Sequence, residues 1–110
     1  MIPELTPALA HLAAQGYARL GKVADAVTLE GLRQRALELM LGQVTYPGMF
    51  FQLDAASGEY KDAPLGLGWQ GPSLSYRKLE KLELDALFLK WMRNPLFERI
   101  ARAQIPGGVF

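Results

Sequence analysis

Apolar positions recur at helical spacing in four parts of the chain and lose that rhythm in its middle. Leu9, Leu12 and Ala13 fall at i, i+3, i+4 behind Thr6-Pro7, which predicts a capped helix with proline at its first position and Gly16 as its stop. Residues 17–23 (YARLGKV) carry β-type side chains in loose alternation and predict a short strand. Leu29, Leu32, Ala36, Leu39 and Met40 then line one face of a longer helix. Asp25 and Thr28 are its two candidate caps, Glu30 lies in its first turn, and Gly42 ends it in a left-handed conformation.

Residues 45–82 break the helical pattern. They hold five of the eleven glycines (Gly48, Gly58, Gly66, Gly68, Gly71) and three of the seven prolines (Pro47, Pro64, Pro72), a density that forbids a long helix. Residues 49–54 predict a strand, and 54–58 predict a hairpin loop returning through 59–61. Residues 62–73 have no periodicity. Helical spacing resumes at about Ser75, where Tyr76, Leu79 and Leu82 stand three apart, and Asp85 caps a further turn with Leu87, Phe88, Trp91 and Met92 inside. Asn94-Pro95 repeats the cap-plus-proline signal ahead of Leu96, Phe97, Ile100 and Ala101. Pro106, Gly107 and Gly108 break this last helix, and Val109-Phe110 reads as the start of a strand. An α+β fold in one partial domain, residues 1–110, is the expectation.

Composition narrows the classes of function. Half of the residues are hydrophobic and 21% are charged, a globular balance. The net charge of +1 gives no electrostatic case for nucleic acid. The absence of cysteine excludes disulfides, thiolate metal sites and cysteine nucleophiles. No uncharged run approaches the ~18 to 20 residues of a membrane span. Glu4 and His11 interrupt the apolar N-terminus against an export signal, so the expectation is a cytoplasmic protein with neither nucleic acid nor membrane as partner.

Candidate chemistry is sparse. His11, the only histidine, sits among Ala and Leu and predicts a structural role, because one histidine cannot supply a two-His-one-carboxylate iron site. Glu80, Glu83 and Asp85 beside Lys78 and Lys81 resemble the solvated charges of a helix. Gly66, Gly68 and Gly71 have dinucleotide-fingerprint spacing but lie between Pro64 and Pro72, where no βαβ unit fits. Ser73 and Ser75 lack a histidine partner. The middle stretch nevertheless interleaves Met49, Phe50, Phe51, Tyr60, Trp69 and Tyr76 with Gln52, Asp54, Gln70, Ser75 and Arg77, the mixture found in binding loops, and reads as one wall of a site.

The ordered series formed by residues 16–23, the Leu29, Leu32 and Leu39 helix, residues 46–54 (YPGMFFQLD), residues 67–71 (LGWQG) and 76–79 (YRKL) resembles the N-terminal part of phytanoyl-CoA dioxygenase family proteins. Residues 94–97 (NPLF) through 105–107 (IPG) are similar to the helix leading that family into its first barrel strand. The resemblance implies an oxygenase that binds Fe(II) and 2-oxoglutarate in a double-stranded β-helix and hydroxylates a small-molecule substrate. Its His-x-Asp motif, distal histidine and arginine have no counterpart here, so no cofactor is expected in this chain; both are implied for a full-length homologue. There Trp69, Gln70, Tyr76 and Arg77 would bind substrate, the aromatics giving apolar area and Gln70 and Arg77 fixing a polar or anionic group. The expectation is an N-terminal fragment, inactive alone, that self-associates through exposed apolar edges; the abrupt Val109-Phe110 ending favours it. The alternative is a free-standing small α+β binding or assembly module.

Overall fold

A computed structural model describes residues 4–108. Four helices and one two-stranded antiparallel sheet make an α+β fold among these residues. The helices are α1 (Thr6–Gln15), α2 (Ala26–Met40), α3 (Ala86–Met92) and α4 (Pro95–Gln104). Strands β1 (Phe50–Leu53) and β2 (Tyr76–Glu80) stand between α2 and α3 in sequence. Each of the last three helices begins where a polar side chain takes up free N–H groups, which is what fixes its start. Asp25 accepts from the Thr28 N–H, Asp85 from those of Leu87 and Phe88, and Asn94 from that of Leu96.

The core is small and local. Leu39 near the end of α2 packs with Met49, Phe51 and Tyr76, and Met40, Val44, Tyr46, Leu53, Leu79, Leu82 and Phe88 are half-buried around them. Leu5 and Leu96 are buried outside this cluster. The radius of gyration is 17.1 Å, against about 13 Å for a compact domain of this length. The chain is therefore an open arrangement, with the outer edge of β2 unpaired among the described residues.

Several elements differ from the sequence reading for identifiable reasons. Residues 17–23 form no strand among the described residues: Tyr17 is exposed, its carbonyl lies 2.8 Å from His11 Nδ1, and no strand edge pairs with the segment. At the start of α1 the cap position is Leu5, not Thr6, and the Thr6 N–H donates to Glu4 Oε1. On the α2 face Leu29 is exposed, as is Met92 on α3, because the core reaches only the other end of α2. The 54–58 turn does not return through 59–61; Tyr60–Asp62 is a single 3₁₀ turn, and β1 pairs with β2 instead. The predicted strand start at Val109-Phe110 lies outside the described residues.

The helix expected at Tyr76, Leu79 and Leu82 is instead β2 followed by a 3₁₀ turn, Leu82–Leu84. The register explains the misleading spacing. Gln52 pairs with Lys78 and Leu53 with Tyr76, which leaves Arg77 as an extra, unpaired residue at a β-bulge. Alternation would put Tyr76 and Leu79 on opposite faces. One inserted residue returns both to the core, and the resulting three-residue interval imitates a helix.

Candidate functional site

The middle stretch is ordered by backbone pairing on both sides of β1. Phe51 exchanges N–H···O bonds with Leu67 (2.7 and 3.0 Å), so the glycine-rich segment runs along the edge of β1 away from β2. Gln52 Nε2 donates to the Pro64 carbonyl at 2.9 Å, fixing the approach to that bridge. A Cβ at Gly66 would overlap the Phe50 ring, so the close passage requires glycine at that position.

Trp69, Gln70 and Tyr76 are placed by hydrogen bonds to the backbone. Trp69 Nε1 donates to the Met40 carbonyl at 3.0 Å and thereby ties the loop to the last turn of α2. Gln70 Nε2 donates to the Phe51 carbonyl at 3.3 Å. The buried Tyr76 hydroxyl accepts from the Gln70 N–H (2.8 Å) and donates to the Gly71 carbonyl (2.7 Å), a two-sided clamp inside the loop. These three residues belong to one hydrogen-bonded unit, and each has a holding role.

Arg77 is different. As the bulged residue it leaves the ladder, is exposed, and carries its guanidinium 4.4 Å from the centroid of the Tyr60 ring. It makes no ion pair among the described residues, while its neighbour Lys78 pairs with Glu80 at 2.8 Å. Arg77 thus offers a positioned cation against an aromatic face, with donors available to an anion.

Sequence reasoning missed a second polar cluster. Asp85, fully buried, receives Arg35 Nη1 at 2.5 Å and the Tyr46 hydroxyl at 2.8 Å through Oδ2, while Oδ1 caps α3. Arg35 also donates to Glu38 at 3.1 Å. Burial pushes the Asp85 carboxyl up, and the hydrogen bonds from Tyr46, Arg35 and Phe88 more than reverse this, leaving it below the usual carboxylate range. The bond to Asp85, helped by burial, raises the Tyr46 phenol. Asp85 was legible as a cap but not as an ion-pair partner, since Arg35 lies fifty residues away.

The described residues do not fit an iron site. No three His, Cys, Asp or Glu side chains among them converge to hold a metal ion, and His11 is exposed, with its ring edge-on to Tyr17. Ser73 Oγ accepts from the Ser75 N–H at 3.0 Å, a local turn contact. No helix among the described residues is long and apolar enough to cross a membrane. Comparison with protein-family models, curated proteins and solved structures finds no match.

Proposed function

We propose that this chain is the N-terminal part of a cytoplasmic oxygenase of the phytanoyl-CoA dioxygenase type. In this reading residues 45–82 form a wall of the substrate site, and the helices and sheet pack on a double-stranded β-helix contributed by sequence beyond this chain. Fe(II) and 2-oxoglutarate would be held there; no cluster that could hold a metal ion stands among the described residues. The role of this chain is to bind and orient a small-molecule substrate.

The observation that carries the proposal is the bulge at Arg77. A bulge re-aims one side chain out of a sheet and recurs beside active sites. Here it exposes an unpaired guanidinium stacked on Tyr60, while Trp69, Gln70 and Tyr76 hold the adjoining loop. Such a cation can fix an anionic group of a substrate whose apolar part lies along the aromatic surface. The open packing also suits a part completed by further structure.

A second reading, a free-standing binding module, draws on the exposed Tyr60, Leu65, Leu67 and Leu74, which offer apolar area directly to a partner. The coding sequence beyond codon 110 separates the two. The oxygenase reading expects a His-x-Asp motif, then a distal histidine and an arginine, in one of the downstream frames. A stop codon followed by unrelated sequence would overturn it in favour of the module.

A further inference from the structure

A groove of about 1110 Å³ runs between the first half of α2 and α3, away from the Arg77 loop. Its floor is apolar and includes Leu32, Leu87 and Trp91, and Val27 in the same wall is 82% exposed. Glycine inside a helix is unfavourable, yet α2 carries Gly31 at this point. A Cβ there would meet nothing within 4 Å, so packing within this chain does not require the glycine. What the missing side chain does is deepen the groove one turn beyond Val27, on the same helix face.

The rim is positively charged. Lys22, Lys90 and Arg93 line it and make no ion pair among the described residues. Asp25 is the only acidic lining residue, and its carboxylate is engaged by the Thr28 N–H at 2.7 Å. An apolar floor whose rim carries three cations against one carboxylate is complementary to an apolar stripe flanked by carboxylates.

We propose that this groove receives an acidic amphipathic helix of a partner protein. The groove is partly open to solvent, which suits a helix laid into it better than a small molecule that must be enclosed. A second copy of the chain is a poor occupant. Helix α1 carries no Asp or Glu, and the carboxylates of Glu30, Glu38 and Glu98 on α2 and α4 are paired with Arg33, Arg35 and Arg102. The groove is separate from the Arg77 loop, and in the oxygenase reading it is a face of α2 and α3 that the barrel leaves open.

The test is fluorescence anisotropy with two labelled peptides of about 16 residues, long enough for helix formation on binding. Both carry leucines at i, i+3, i+4 and i+7; one has flanking glutamates and the other flanking lysines. The full chain should bind the acidic peptide at least about tenfold tighter than the basic one, with affinity falling as salt rises. Lys90→Glu with Arg93→Glu should cancel that preference, and both positions are exposed, so circular dichroism should be unchanged. Gly31→Leu should abolish binding, while Gly31→Ala, which leaves most of the groove open, keeps it. Failure to bind the acidic peptide, equal binding of both peptides, or indifference to the charge reversal overturns the proposal. Self-association of the wild type that Gly31→Leu abolishes would assign the groove to a second copy and also overturn it.

Discussion

The Asp85 carboxylate lies 2.5 Å from the Arg35 guanidinium and joins the start of α3 to the second half of α2. The same carboxylate accepts from Tyr46, which precedes the turn into β1. One buried acid thus connects three segments that share only a small apolar cluster. In a chain with so little core, a polar node of this kind decides whether the helices and sheet keep a single arrangement.

Asp85→Ala removes the ion pair, the Tyr46 partner and the α3 cap together. The expected loss is about 2–3 kcal/mol, since Arg35 keeps 29% of its side chain exposed and can recover some hydration. Asp85→Asn retains a capping oxygen and should cost clearly less. Urea unfolding followed by circular dichroism measures both; equal midpoints for the two variants would mean that the carboxylate's charge, and not the cap, carries the whole effect.

Acid should weaken this node. Asp85 is lowered in the folded chain, so between its folded value and the unfolded one of about 3.9 the unfolded state binds more protons, and stability rises with pH there. The contribution is complete above the unfolded value and is lost as pH falls through the folded one. Tyr46 gives the opposite sign at the alkaline end: its raised value means stability present below about pH 10 and lost as pH rises through the folded value. Urea midpoints between pH 2 and 6 should fall less steeply with acid for Asp85→Asn than for the wild type, and parallel slopes would place the acid sensitivity elsewhere.

What the sequence made legible followed local chemistry. Asp25, Asp85 and Asn94 announced three helix starts, because a cap acts within three residues of itself. The strand at Phe50–Leu53 was likewise readable from its aromatic and apolar run. Its partner was not, since pairing with Tyr76–Glu80 crosses a long irregular excursion and the bulge disguises strand alternation as helical spacing. Of the four candidate site residues, Trp69 and Gln70 are readable as neighbours in one loop, whereas Tyr76, expected on a helix, stands at the start of β2 and reaches that loop through its hydroxyl. Their engagement with Met40, Phe51 and Gly71 depends on partners that no local pattern reveals.

Gly42 ends α2 at φ +76, with the Gln43 N–H donating to Glu38 O (2.9 Å) and its own N–H to Leu39 O (3.3 Å). A Cβ at this position would also overlap the Trp69 ring. Gly42→Ala therefore combines left-handed strain with displacement of the indole, an expected cost of about 2–3 kcal/mol. The Trp69 bond to Met40 should break at the same time, shifting tryptophan emission to the red. If the midpoint falls with no change in emission, backbone strain alone is responsible.

Tyr76 and Arg77 are neighbours with opposed roles, and paired substitutions separate holding from binding. Tyr76→Phe leaves the Gln70 N–H and the Gly71 carbonyl without their shared hydroxyl, at an expected cost of about 1–2 kcal/mol, and should speed hydrogen exchange at the Gln70 amide. Arg77→Ala removes only an exposed guanidinium over Tyr60, so melting temperature should stay near wild type. Gln70→Ala loses one long bond to Phe51 and should also be mild. In the longer oxygenase proposed here, Arg77→Ala and Gln70→Ala should weaken substrate turnover while leaving 2-oxoglutarate binding unchanged. If Arg77→Ala instead lowers stability and cosubstrate binding together, the bulge serves the fold and the substrate-wall assignment fails.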